Sequence, residues 1–396
     1  MIPARTSLLL LTQDYPPRPG GMSRYYADLT AGWGETSTVL CGSWKGDPPS
    51  DSGPQRVIEL GLDANAAHRW RAQRIATGAL RAALRSPGVG FVLAGNIRPY
   101  AILTGRAARA AKVPWGFAIH GTDVLSTARR WREHPWKKRH WRALSRADLI
   151  VANSRFTADQ AAELGLAADR IVVVPPEIDT AQFRPAVDAD EQRAEREHLG
   201  LSPDGLLGLF VGRLVARKGL SELFAALRVL PTARLAVVGS EPEPWIEEAR
   251  RAGVADRVHF GGEASMTGDL PRWYRAADVF LGPSHGITAR QEAEGFGIVF
   301  LEAAASGLPV IATRTGGIPE AVDAENAGIL VPPGDVSALA AAWGRLLEDG
   351  AMRRRMAAAA PHGRPRDHDR GSMAARLARA VDELPGDRKR RRTDAT

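Results

Sequence analysis

The sequence predicts an α/β fold built as two doubly wound domains. Three observations carry that expectation. Short apolar runs alternate with longer helical patterns through nearly the whole chain. The runs lack apolar–polar alternation, which marks strands buried on both faces of a parallel sheet. At 396 residues the chain is also too long for one ordinary core and suits two.

The elements follow in order. Residues 7–11, 89–93, 114–119 and 148–152 read as buried strands in the first half, and residues 207–211, 234–238, 258–260, 279–281 and 309–312 repeat the theme in the second. Helices are expected over 221–229, 245–252 and 336–347. The stretch from Pro175 to Gly205 is proline-rich and then charge-rich, as a hinge would be. The expected boundaries are therefore 1–180 for the first domain and 181–360 for the second. A helix within 361–384 follows, and then a basic, disordered tail at 385–396. No internal repeat is visible.

Composition narrows the class. With 44% hydrophobic and 25% charged residues the chain reads as a soluble globular protein. A single cysteine, Cys41, excludes a disulfide framework and a cysteine-based zinc site, and reads as a small buried side chain. No apolar run approaches the ~18 residues of a membrane span. The opening MIPARTSLLLLT is too short for a secretion signal and reads as a first strand, so a cytoplasmic enzyme is the default.

Charge is concentrated. Residues 129–146 carry eight Lys/Arg against one Glu, and the tail carries five against two Asp, which together exceed the net +8. The internal segment also interleaves Trp131, Trp136 and Trp141 with its cations. Such a mixture suits an anionic membrane surface at the inner face, and it equally suits a solvated helix whose tryptophans enter the core. No nucleic-acid partner is expected.

In open parallel sheets ligands bind beyond the carboxyl ends of strands, so the loops there are the places to look. After the first strand, DYPPRPGGM places Gly20 and Gly21 before a helix expected to begin near Ser23, a loop able to bring backbone amides to a phosphate or to be a plain turn. It is neither a Walker A loop nor the Gly-x-Gly-x-x-Gly fingerprint. His120 follows a strand end beside Gly121; a lone histidine there is more often structural, and gains interest only from its company. The second half opens with VGRLVARKG, where Arg213 and Lys218 could neutralise a diphosphate.

The segment EGFGIVFLEAAASGLPVIA raises a sharper question, because Glu302 sits inside a run that otherwise looks buried. An unpaired buried carboxylate is costly. Sugar or ribose hydroxyls would satisfy it, as would an internal ion pair to Arg290 or Arg314. The amides of Gly297, Ile298 and Val299 open the helix that holds it and would form an anion site. Glu294, just ahead of the turn, could accept from sugar hydroxyls.

Glu294 and Glu302, with seven residues between, resemble the Glu-x7-Glu motif of retaining glycosyltransferases with the GT-B fold, two Rossmann-like domains facing a cleft. The resemblance covers almost the whole chain. The Gly20-Gly21 loop, His120-Gly121, Asn153-Ser154, VVPPEIDTAQFRP, VGRLVARKG, VVGSEPE and GLPVIATRTGGIPEAV occur in the family's order. TQDYPPRPGGMSRY, LVARKG and EGFGIVFLEA are most similar to bacterial phosphatidylinositol mannosyltransferases. The resemblance implies that Arg213, Lys218 and the amides of Gly297, Ile298 and Val299 bind the donor diphosphate, that Glu302 holds the ribose and that Glu294 holds the sugar. It implies His120 near the anomeric carbon, with Gly20 and Gly21 shaping the phosphate and acceptor side. Two places depart from the pattern: residues 284–295 are longer than in many relatives, and residues 361–371 lack the usual aromatics before a last helix that should return to the first domain.

The expected reaction moves a hexosyl group from a GDP- or UDP-sugar to a lipid, glycan or small-molecule hydroxyl. The resemblance implies retention of configuration, with no covalent carboxylate intermediate and with the departing phosphate taking the acceptor's proton. No Asp-x-Asp motif stands beside the phosphate residues, so no metal and no further cofactor is expected. The alternatives are a non-catalytic nucleotide-sugar-binding scaffold and a GT-B nucleotide-sugar epimerase. Arg213, Lys218, Glu294 and Glu302 are all present, which speaks against the scaffold.

Overall fold

The computed structural model describes residues 7–18, 20–42, 55–61, 70–86, 88–121, 141–264, 268–286 and 293–384. The expected basic tail at 385–396 lies outside them, as do residues 122–140 and 287–292. The chain divides into two compact units, Met1–Glu177 with Arg370–Thr396, and Ile178–Asp369.

The first unit holds a seven-stranded sheet in the order β3-β2-β1-β4-β5-β6-β7. The strands are β1 (Ser7–Thr12), β2 (Ser37–Cys41), β3 (Arg56–Glu59), β4 (Val89–Ala94), β5 (Trp115–Ile119), β6 (Leu149–Ala152) and β7 (Ile171–Val173). Every neighbouring pair is parallel. The continuous apolar run of β1 follows from its place between two neighbours, since Leu8 to Leu11 are all buried.

A core of Leu8, Tyr25, Leu29 and Trp33 is completed by Met373, Leu377 and Val381 from the last helix, Ser372–Asp382. That helix has no side-chain cap of its own at Gly371. Instead the buried carboxylate of Glu177, nearly two hundred residues earlier, accepts from the Met373 amide at 3.2 Å. Burial pushes the Glu177 carboxyl up to about 7 despite hydrogen bonds from the Gly371 and Met373 amides.

The second unit holds a six-stranded parallel sheet, β10-β9-β8-β11-β12-β13. Its strands are β8 (Leu207–Val211), β9 (Arg234–Val238), β10 (Val258–Gly262), β11 (Val279–Gly282), β12 (Val310–Thr313) and β13 (Gly328–Val331). One face packs Phe280, Phe300, Leu301 and Tyr274, and the other packs Phe210, Leu223, Leu227 and Trp343.

Three expectations need correction. The first helix is Gly21–Trp33 and begins two residues before Ser23, because Gly20, at φ 124°, ends the loop. Strands β2, β3, β7 and β13 were not foreseen. The charge-rich half of the expected hinge is a packed helix, Ala189–His198. There the buried Arg196 pairs with Asp278 at 2.7 Å and donates to the Ala276, Pro203 and Gly205 carbonyls. Its charge is thus satisfied inside the unit rather than spent on solubility.

Candidate active site

In the first unit the carboxyl ends of β1, β4, β5 and β6 bring together residues 13–18, 20–21, 95–96, 120–121 and 153–154. Thr12 donates to Asn96 Oδ1 at 3.1 Å, and Asn96 donates to Asp14 at 2.7 Å. Asp14 also pairs with Arg18 at 2.6 Å, which braces the loop that leads to Gly20 and Gly21. Both glycines stand exposed at the start of the helix Gly21–Trp33.

His120 follows β5 directly. Its Nε2 lies 2.6 Å from the Tyr26 hydroxyl, and the Tyr25 and Tyr26 rings meet the imidazole edge-on at 5.0 and 5.5 Å. Burial pushes its pKa down to about 4, so the ring is neutral at ordinary pH. The next residue is held by a side-chain cap: the Thr157 hydroxyl accepts from the Gly121 amide at 3.3 Å and donates to Asn153 at 2.9 Å. Ser154 caps the helix Arg155–Glu163 by accepting from the Thr157 amide. Asn153-Ser154 is therefore the element that seats Gly121, a role carried by Thr157, which sequence reading passed over.

In the second unit the site forms beyond β8, β11 and β12. Lys218 Nζ donates to Glu294 Oε2, and Arg217 Nη1 lies 3.4 Å from the same oxygen. Burial alone would raise the Glu294 carboxyl; the two cations and their hydrogen bonds outweigh it and hold the pKa below its usual range. Two residues given separate tasks by the motif thus stand as one ion pair. Arg213, expected beside Lys218, is not drawn in: its side chain is exposed, outside the Glu294 cluster.

The turn after Glu294 is compact because glycines meet backbone there. A Cβ on Gly317 would lie 2.0 Å from the Gly295 carbonyl oxygen; away from that turn, next to Lys218, one on Gly219 would lie 2.0 Å from the Pro283 carbonyl oxygen. The Gly317 amide donates to Glu294 O at 2.9 Å, so β12's loop is locked to the Glu294 turn.

Gly297, at φ 93°, begins the helix Ile298–Ala305, whose first amides carry no side-chain cap. Glu302 is buried within it, and its Oε2 accepts from the Tyr274 hydroxyl at 2.6 Å. A protein hydroxyl therefore meets part of the need that the sequence assigned to a ligand or to an arginine. Tyr274 lies in the helix Leu270–Ala276, with no local signal linking it to Glu302. Arg217 did have one, since it adjoins Lys218. Residues 129–140 and Arg290 lie outside the described residues, while Trp141 is buried in the first unit.

The chain is similar to known proteins along nearly its whole length. Residues 191–363 match the family described as Glycosyl transferases group 1, and residues 19–182 match Glycosyltransferase Family 4. A GDP-mannose-dependent alpha-(1-6)-phosphatidylinositol monomannoside mannosyltransferase of Mycolicibacterium smegmatis is 32% identical over 97% of this chain and 100% of its own.

The chain belongs to the family 4, group 1 glycosyltransferases. This glycosyltransferase is also 37% identical, over 68% of its length and 62% of the relative's, to a D-inositol 3-phosphate glycosyltransferase of Acidothermus cellulolyticus. Its fold is GT-B. The structure of HepE from Anabaena in complex with UDP and glucose superimposes with a TM-score of 0.77 at 21% identity, covering 96% of this chain and 100% of that one. A sucrose-phosphate synthase from Thermosynechococcus elongatus gives 0.75 at 23% identity over 99% and 100%.

Proposed function

We propose that this glycosyltransferase moves a hexosyl group, with retention and without a metal, from a nucleoside-diphosphate sugar to a hydroxyl on a lipid or inositol-type acceptor. The observation that carries the reading is the Lys218–Arg217–Glu294 cluster beside the helix N-terminus at Gly297. Lys218, Arg213 and the amides of Gly297, Ile298 and Val299 take the diphosphate, where fixed positive charge stabilises the leaving group. Glu294 exchanges its cation partners for sugar hydroxyls. Glu302, oriented by Tyr274, takes the ribose. His120, neutral, lies on the reacting face of the sugar, Gly20 and Gly21 shape the acceptor side, and the departing phosphate receives the acceptor's proton. GDP-mannose is the first donor to try, because the relative matched over its full length uses it.

The acceptor side is read as an anionic membrane surface. In the described residues the support lies on the helix Trp70–Ala83 rather than on 129–146. Trp70 and Ile75 are exposed at 62% and 48%, Arg71, Arg74 and Arg81 are exposed with them, and the helix has no acid. Arg74 lies 5.4 Å from the Trp70 ring centroid, so the pair presents an aromatic and a cation together. No helix among the described residues is long and apolar enough to cross a membrane. Vesicles containing phosphatidylinositol should pull down the wild type and release W70A/R74A; equal binding by both removes this surface from the proposal.

The donor test is a thermal shift with GDP, UDP and ADP, with Glu302→Ala as control. A shift for one nucleotide that vanishes in the control identifies the base. No shift with any of them sinks the donor-site assignment. NMR of the product sugar then reads retention, and activity in excess chelator reads the metal.

A further inference from the structure

The Tyr26 side chain is fully buried, lies on the helix Gly21–Trp33 and touches two groups that the reaction does not explain. Its hydroxyl donates to the Gly95 carbonyl, at the end of β4, and also meets His120 Nε2 at 2.6 Å. A phenol has one proton, and a carbonyl cannot donate. The proton therefore belongs to the Tyr26–Gly95 bond, and the phenol oxygen can meet His120 only as an acceptor. A hydrogen on Nε2 is then required.

The approach is built into the backbone as well. A Cβ on Gly95 would fall 2.7 Å from Thr12 Cβ and 3.0 Å from Tyr26 Cζ, so only glycine lets the carbonyl, the β1 end and the phenol come together. Asn96, the next residue, is tied to Thr12 and Asp14. The acceptor Tyr26 uses is thus next to the network that holds Asp14 and Arg18.

We infer that Tyr26 is a positioning residue that sets the tautomer of His120, holding the proton on Nε2 and leaving Nδ1 as the ring's acceptor nitrogen. The inference rests on the transferase reading only for its catalytic consequence; the tautomer itself is independent of what the enzyme transfers. With the tautomer fixed before substrate arrives, none of the binding energy is spent on choosing it.

Nitrogen NMR of the full-length protein labelled at histidine tests this, the His120 signals being assigned by their loss in His120→Gln. At pH 7 the wild type should show a protonated Nε2 and an unprotonated Nδ1. In Tyr26→Phe the two nitrogens should move toward averaged shifts, because the selecting acceptor is gone. A proton on Nδ1 in the wild type, or an unchanged tautomer in a folded Tyr26→Phe, overturns the proposal. Should Tyr26→Phe fail to fold, the wild-type spectrum alone still decides. Once an active donor is known, Tyr26→Phe should lower kcat about tenfold with KM for the donor unchanged, the scale of one ordinary hydrogen bond. A change in KM alone would assign Tyr26 to binding instead. If no transferase activity is found, the spectra still stand or fall by themselves.

Discussion

The two units prepare their sites by opposite electrical means. In the second unit the central group, Glu294, is kept charged in a buried place by Lys218 and Arg217. In the first, His120 is kept uncharged by burial and steered by the neutral groups of Tyr26 and Gly95. The contrast fits the partners each would meet. A diphosphate demands fixed positive charge, whereas a hydroxyl acceptor demands orientation. It also separates two kinds of fragility, since breaking an ion pair strands a charge and breaking a neutral contact strands only a dipole.

The largest expected effect comes from stranding the charge. Lys218→Ala should cost about 10²–10³ in kcat by removing the cation proposed to face the leaving group. It should also lower stability by about 2 kcal/mol, since Glu294 keeps only Arg217. Adding Glu294→Gln to Lys218→Ala should recover most of the stability and none of the rate. Denaturant melts and initial rates on the two variants read both. Recovery of rate would mean that the pair is structural and that the catalytic cation lies elsewhere.

Next comes the backbone that shapes the charged site. Gly317→Ala should destabilise the second unit by about 3 kcal/mol or more, because its Cβ would meet the Gly295 carbonyl oxygen at 2.0 Å. A calorimetric scan resolves this, and a wild-type midpoint would show that the turn gives way cheaply.

The smallest effects are pH effects in the first unit, and they carry opposite signs. His120 binds its proton more weakly folded, at about 4 against an ordinary 6.5, so its share of stability is lost as pH falls through that interval. Glu177 binds its proton more tightly folded, at about 7 against an ordinary 4.5, so stability is lost as pH rises through that interval. Glu177→Gln keeps an acceptor for the Met373 amide and removes the charge. Its melting midpoint relative to wild type should be higher at pH 8 than at pH 5, by the equivalent of about 2 kcal/mol. An identical difference at both pH values would show that Glu177 is solvated when ionised.

Much of the fold was legible because central parallel strands are uninterrupted apolar runs. The strands not foreseen have reasons. β3, β7 and β13 end their sheets, where each strand has one neighbour, and none of the three is buried along its whole length. β2 is central, yet it is only the short run STVLC, with Ser37 satisfied by Thr30 and Gly34 carbonyls rather than by apolar packing. The site divides in the same way. Glu294, Gly297 and Glu302 sit within one short segment whose spacing states their relation. Lys218–Glu294 and Tyr274–Glu302 join residues 76 and 28 positions apart, and nothing local announces a pair made by the fold.

The last helix has a consequence for the order in which the chain matures. Met373, Ala374, Leu377, Ala378 and Val381 belong to the core of the first unit, although they lie beyond the whole of the second. During synthesis the amino-terminal residues therefore leave the ribosome with one wall of their core still missing, while residues 178–369 can close a complete core on their own. The unit made second is the one free to finish first, and a nascent chain stopped at residue 369 would carry a folded carboxyl-terminal half behind an unfinished amino-terminal one.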